Sequence, residues 1–295
     1  MTTSRSRRRA GIALGTFVVL LALGACGRAT PTTHIGNSAT TYVALGDSYT
    51  AVSGDGPFTN AACYRSEDDY PSLVAQKLSI GDFEDASCGG ATSADLADTQ
   101  VMASGGSNPP QLDSVTKDTK LVTLGMGLNN SKLLSFYPLY SCLPLSGKTQ
   151  AACTHYLNLP EATIDQAIAS VGTQVRANIA AIRTAAPNAR IVLVGYPRLV
   201  SATDDCPSQV PVPAAALARA RHILIAVNTT LAETARSAGV DYIDTYKSSA
   251  GHDVCSADPW VNGQRDIPGK ALKFHPFAAY HVAVADQIVA LLAKK

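Results

Sequence analysis

The amino-acid sequence predicts a three-layer α/β/α sandwich built on a parallel sheet. Short, continuous apolar runs of strand length recur along the chain, and long segments of helical period separate them. Such alternation calls for right-handed crossovers that cover both faces of the sheet. In a fold of this kind the ligand site lies beyond the carboxyl ends of the strands.

The strand runs are YVAL (42–45), LVTL (121–124), IVLV (191–194) and VDYI (240–243), and their largely apolar character suits buried parallel strands. After the second run, Ile164, Ile168, Val171, Val175, Ile179 and Ile182 step by three or four, with Pro160 near the start and Pro187 past the end. That spacing predicts a long amphipathic helix with one face on the sheet. A second helix carries Leu217, Leu224, Val227 and Leu231 and stops at Gly239, and a third carries Val282, Ala285, Val289 and Leu292 to the C-terminus. Segments 51–69, 136–160 and 246–274 lack clear periodicity and each carries cysteine, so they read as excursions stapled to the scaffold, where pockets are usually shaped. No repeat or low-complexity tract interrupts residues 41–295, which read as a single domain.

The first 25 residues read as an address rather than as fold. Arg5, Arg7, Arg8 and Arg9 precede the apolar run AGIALGTFVVLLALGA, which is shorter than the roughly 20 residues of a spanning helix. The run ends in Leu23-Gly24-Ala25-Cys26, which resembles the lipobox of bacterial lipoproteins. Cys26 is then expected to carry lipid and to hold the chain, outward facing, on the cell membrane or envelope. Residues 26–40 are small and polar, as in a flexible tether.

Composition excludes other classes. The chain has 24 Lys plus Arg against 23 Asp plus Glu, a net charge of +1, which argues against binding nucleic acid by phosphate neutralisation. With 46% hydrophobic and 16% charged residues there is material for a full core, unlike a disordered chain. Setting Cys26 aside leaves Cys63, Cys88, Cys142, Cys153, Cys206 and Cys255, an even number in an exported chain, which favours disulfides. Six cysteines allow 15 pairings. The nearest-neighbour scheme closes modest loops, but the residues alone do not choose it. A metal held by Cys206, His252 and Cys255 is the rival, and it lacks the Cys-x-x-Cys spacing typical of zinc. No metal or organic cofactor is expected.

Chemistry enters at Gly46-Asp47-Ser48, directly after the first strand run, where a tight turn can expose a hydroxyl and a helix can begin. Taken alone, Ser48 suits a nucleophile or a helix cap. Gly90 alone suits a turn, and Asn129 a cap. Read together, YVALGDSYT, SCGGATSADL, VTLGMGLNN and FHPFAAYH follow the order and spacing of the GDSL or SGNH hydrolases, and the resemblance spans nearly the whole body of the chain. It is strongest to the secreted actinobacterial esterase and lipase branch. The resemblance implies a flavodoxin-like fold and three disulfides, and it supports pairing Cys63 with Cys88, Cys142 with Cys153 and Cys206 with Cys255. It makes Ser48 the nucleophile and His275 the base. Ester cleavage also needs donors aimed at the developing oxyanion. The matching positions supply the Ser48 N–H, the Gly90 N–H and the Asn129 side chain. Among the six histidines, His275 has the family position, directly before Pro276 and the last helix, whose positive end favours a neutral ring.

Three departures stand out. Most relatives place an aspartate three residues before the histidine, whereas this chain has Leu272. The expectation is a Ser48–His275 dyad with the Leu272 main-chain carbonyl orienting the ring, and Asp266 folding in is the second option. The third block reads Leu128-Asn129-Asn130 instead of ending in aspartate, which is expected to set a side chain beside the oxyanion donor. Phe277 and Tyr280 follow the histidine and are expected to place aromatic bulk at the pocket mouth. The leading reading is a monomeric, envelope-associated serine esterase or lipase acting on ester or lipid substrates. An acyltransferase using the same acyl-enzyme, or a lipid-binding envelope lipoprotein that has lost turnover, are the alternatives. Gly125-x-Gly127 lacks the third glycine of a dinucleotide-binding loop.

Overall fold

The computed structural model describes residues 42–54, 57–102, 105–131, 134, 137–144, 150–201 and 206–294, all within one compact unit that spans Ser38–Lys295. The export segment, Cys26 and the tether lie outside the described residues. The strands are β1 (Tyr42–Gly46), β2 (Phe58–Asn60), β3 (Arg65–Ser66), β4 (Phe83–Asp85), β5 (Gln100–Val101), β6 (Ser107–Asn108), β7 (Leu121–Gly125), β8 (Arg190–Val194) and β9 (Asp241–Ile243). The helices are α1 (Ser48–Ala51), α2 (Tyr70–Lys77), α3 (Tyr137–Cys142), α4 (Gln150–Leu157), α5 (Glu161–Ala185), α6 (Ala214–Ala238), α7 (Thr245–Ser248) and α8 (Ala278–Leu292).

Five strands form one parallel sheet in the order β4-β1-β7-β8-β9. The four apolar runs become β1, β7 and β8, which are inner, and β9, which forms the far edge and is half-buried rather than buried on both faces. The sequence pattern does not reveal β4, because Phe-Glu-Asp is short and polar, as suits an edge with one exposed side. From β1 the chain crosses through α2 to β4, and from β7 it crosses the other way through α5 and α6 to β8 and β9. Right-handed crossovers in opposite directions put the helices on opposite faces. Accordingly α5 packs along α6 and α2 along α8, which completes the α/β/α sandwich. The reversal falls between β1 and β7, so the crevice at their carboxyl ends is the switch point where a ligand is expected.

The predicted face of α5 is buried in full, from Ile164 to Ile182, and α6 ends at the left-handed Gly239. The face expected of α8 is corrected. Val282 is 44% exposed, and the buried stripe is Tyr280, His281, Val284, Ala285 and Ile288. This helix is apolar on nearly every side, so periodicity cannot choose its face; polar contacts do. His281, fully buried, accepts the Tyr70 N–H at Nδ1 (3.0 Å) and has Nε2 2.8 Å from the Val52 carbonyl. A carbonyl only accepts, so Nε2 carries the proton and both ring nitrogens are used. Burial, ahead of all else, lowers the His281 pKa to about 4. An unfolded histidine near 6.5 takes up a proton that the folded ring refuses, so this stability is present above pH 6.5 and lost on acidification toward pH 4. The stability margin of the native chain over His281→Gln should therefore shrink by about 3 kcal/mol between those limits, as read from urea unfolding at each pH.

The excursions are more ordered than their sequence suggests. Segment 136–160 contains α3 and α4, joined by Cys142–Cys153. The other disulfides are Cys63–Cys88 and Cys206–Cys255, the nearest-neighbour scheme throughout. The metal reading fails on that finding, because Cys206 and Cys255 are spent on each other. His252 instead stacks on Trp260 with ring centroids 4.2 Å apart.

Candidate active site

The site begins with how β1 ends. Asp47 caps α1 by accepting the Tyr49 N–H at 2.9 Å, while its own N–H donates to the Gly125 carbonyl of the neighbouring strand at 2.9 Å. Between them Ser48 is set at the first position of α1, where a helix leaves its N–H groups without intrahelical acceptors. Gln111, 1% exposed, clamps the turn from outside: its Oε1 accepts the Gly46 N–H (2.8 Å) and its Nε2 donates to the Gly46 carbonyl (2.9 Å). Burial pushes the Asp47 carboxyl up to about 7, against the pull of hydrogen bonds from Tyr196 and the Tyr49 N–H.

The second block reaches the same place from the β4 side. Cys88 N–H donates to the Gly46 carbonyl at 3.0 Å, Gly89 N–H to the Cys63 carbonyl at 2.9 Å, and Gln100 Nε2 to the Gly89 carbonyl at 2.9 Å. With the Cys63–Cys88 disulfide, these bonds immobilise the stretch that carries Gly90. Gly90 has φ 77°, a left-handed conformation that a side chain would strain. Among the described residues neither the Gly90 nor the Ser48 N–H has an acceptor within the protein.

The third block leaves β7. Asn129 Nδ2 donates one hydrogen to the Ala91 carbonyl at 3.1 Å, which fixes the amide and leaves its second hydrogen for a ligand. Asn130 explains the missing carboxylate: its Oδ1 accepts the Ser93 N–H (2.8 Å) and its Nδ2 donates to Ser93 Oγ (2.8 Å). A carboxylate at residue 130 could keep the second contact only in the reverse sense, by accepting from the Ser93 hydroxyl. Leu128 does not flank the oxyanion donor as expected; it is 2% exposed and packs in the core.

The histidine loop corrects the expected orienting group. Leu272 O is occupied by the His275 backbone N–H (3.1 Å) and Asn262 Nδ2 (3.0 Å). His275 Nδ1 lies instead 2.8 Å from the Lys273 carbonyl. The reason is Phe274, left-handed at φ 56°, which folds the chain so that the carbonyl two residues back meets the ring. That contact puts the proton on Nδ1 and leaves the lone pair on Nε2. Asp266 accepts the Lys273 N–H at 2.7 Å and so holds the turn, and from there its charge raises the His275 pKa, against the larger effect of burial. Burial, above all, lowers the His275 pKa and favours the neutral base, and Tyr49 stacks on the ring at 5.7 Å.

Ser48, Gly90, Asn129, Leu272 and His275 all line one open cavity of about 490 Å³. Its apolar wall comes from Val52, Tyr64, Val101, Met102 and Tyr140, none of which carried a signal in the sequence. The aromatic mouth is therefore Tyr64 and Tyr140. Tyr280, 1% exposed, is a core residue, and Phe277 caps α8. A larger groove of about 550 Å³, bordered by α5 and α6, is lined by Glu161, Asp165, Arg219 and His222 but by no hydroxyl or thiol.

Known proteins share this fold. The model of the GDSL-like lipase/acylhydrolase family matches residues 44–283. Lipase 2 of Streptomyces coelicolor is 32% identical over 265 residues, covering 85% of each chain. The extracellular lipase of Streptomyces rimosus superposes with a TM-score of 0.67 at 27% identity, over 84% of this chain and 99% of its own. Phospholipase A1 of Streptomyces albidoflavus shares the fold with a TM-score of 0.69 at 24% identity, over 88% and 100%. A match across the whole catalytic body, on a sheet whose switch point carries the motif serine, identifies the chain as a carboxylic ester hydrolase belonging to the GDSL-like lipase/acylhydrolase family.

Proposed function

We propose that the chain is an exported serine esterase or lipase in which Ser48 is the nucleophile and His275 the base. Ser48 Oγ attacks the ester carbonyl and passes its proton to His275 Nε2. The oxyanion accepts hydrogen bonds from the Ser48 N–H, the Gly90 N–H and Asn129 Nδ2. The imidazolium returns the proton to the departing alcohol, and water then releases the acid by the reverse sequence. The Lys273 carbonyl, a neutral acceptor, keeps Nδ1 protonated and the ring aimed. The observation that carries this reading is the cavity shared by a serine hydroxyl, an imidazole and two N–H groups that have no acceptor among the described residues.

Three disulfides suit an oxidising compartment, and the similar lipase of Streptomyces rimosus is extracellular, which supports export. Attachment through a lipidated Cys26, action as a monomer and an ester or lipid substrate complete the proposal. The apolar wall of the cavity favours acyl chains over charged acids. Hydrolysis is favoured over a binding-only lipoprotein because Leu128 packs in the core and the Lys273 carbonyl holds the ring that Leu272 leaves without an acid.

The test is labelling with a serine-directed phosphonate, followed by peptide mass spectrometry and assay on a p-nitrophenyl ester series. The adduct is expected on Ser48, with loss of turnover in step with labelling. Labelling of another serine would overturn the assignment. Asp266→Asn is expected to keep kcat within about fivefold, since a neutral Oδ1 still accepts the Lys273 N–H; a loss of several hundredfold would make Asp266 the orienting acid.

A further inference from the structure

We infer that Tyr196, which does not itself line the substrate cavity, is a positioning residue that sets the spacing between the nucleophile and the oxyanion donor. The inference rests on the proposed roles of Ser48 and Asn129. Tyr196 lies just beyond β8 and is 1% exposed. Its hydroxyl donates to Asp47 Oδ2 at 2.5 Å and accepts the Leu128 N–H at 3.0 Å. Asp47 directly precedes Ser48, and Leu128 directly precedes Asn129. One phenol oxygen therefore ties the main chain beside the attacking group to the main chain beside the amide that receives the negative charge.

The tie is stiff at both ends and at its root. The other oxygen of Asp47 accepts the Tyr49 N–H, so the carboxylate cannot turn without uncapping α1. At the root, Asn228 of α6 grips the Tyr196 backbone on both sides: Oδ1 accepts its N–H at 2.8 Å and Nδ2 donates to its carbonyl at 3.1 Å. The Tyr49 ring meets the Tyr196 ring edge-on at 5.5 Å and stacks on His275 at 5.7 Å. The hydroxyl is thus held by the scaffold, through α6, rather than by the loops it joins. An oxyanion hole works only if its donors are fixed before charge develops, because donors that must move give back part of the stabilisation. Tyr196 is not among the residues that line the cavity, so its loss should appear in turnover and not in binding.

Tyr196→Phe keeps the ring and deletes both bonds. On p-nitrophenyl esters we expect kcat to fall by roughly 10- to 100-fold with KM within about twofold. In an Asn129→Ala background, where the donor being positioned is gone, the same change should cost less than about threefold. Thermal melts of each variant accompany the kinetics. If Tyr196→Phe does not fold, Asp47→Asn takes its place: it retains an oxygen for the Tyr49 N–H but offers the phenol no anionic acceptor, and the same drop in kcat is expected. A kcat within twofold of the native chain, a loss expressed in KM, or an equal loss with and without Asn129 would each overturn the inference. Were Asn129→Ala itself to leave kcat unchanged, the oxyanion assignment would fall first, and this inference with it.

Discussion

Ser48→Ala is expected to lower kcat on p-nitrophenyl esters by roughly 10³- to 10⁶-fold, with no change in melting temperature. The stability half of that expectation follows from the site. Ser48 is buried to 9% exposure, but the cap that starts α1 is supplied by Asp47, and the helix neither needs nor uses the serine hydroxyl. The catalytic half follows from the division of labour. Without an attacking oxygen the three donors and the bound ester remain, so any residual rate comes from water attack under oxyanion stabilisation. His275→Ala should fall to a similar floor, and the double variant should be no slower than either single one, because nucleophile and base act as one unit. Multiplicative losses, or a Ser48→Ala enzyme with more than a tenth of native turnover, would move the nucleophile elsewhere.

How much of this was legible in the sequence depended on whether the deciding contacts were local. Three of the strand runs and the α5 face were visible because a strand buried on both sides or a helix with one apolar stripe writes its period into its own residues, and the half-buried β9 showed through the apolar Val240, Tyr242 and Ile243. β4 was not, since three residues at an edge carry no period. The α8 face was not, since an apolar helix leaves the choice to His281 and its partners on two distant segments. The same division runs through the site. Ser48, Gly90, Asn129 and His275 sit in blocks whose order is itself a signal. The choice of Lys273 over Leu272 as partner of the ring turned on a left-handed Phe274, a conformation that a bulky residue rarely takes and that no motif announces. Gln111 and Tyr196, which brace the turn from 65 and 149 residues away, belong to no motif at all.

Gly46→Ala should be the most damaging substitution outside the reacting groups, costing about 3 kcal/mol or more in urea unfolding and lowering the turnover of whatever folds. The glycine of the motif is required by close approach. A Cβ at residue 46 would overlap Thr50 Oγ1 and stand 2.7 Å from the Gly125 carbonyl oxygen. Neither neighbour can give way cheaply. Thr50 Oγ1 is engaged with the Tyr70 hydroxyl at 3.1 Å and the Gly125 carbonyl at 3.3 Å, and Gly125 is paired in register with Gly46 across β1 and β7. The strand itself cannot retreat, because Gln111 and the Cys88 N–H hold both polar groups of residue 46. The added methyl must therefore part the two central strands at the point from which Ser48 and Asn129 depart, which couples the stability loss to the catalytic one. Gly81→Ala is the matched control: beyond its two chain neighbours no described heavy atom lies within 4 Å of the place its methyl would take, and both stability and kcat should stay at native values. A Gly46→Ala chain as stable as that control would mean that the turn before the nucleophile is looser than its hydrogen bonds require, and the rigidity ascribed to the oxyanion donors would lose its foundation.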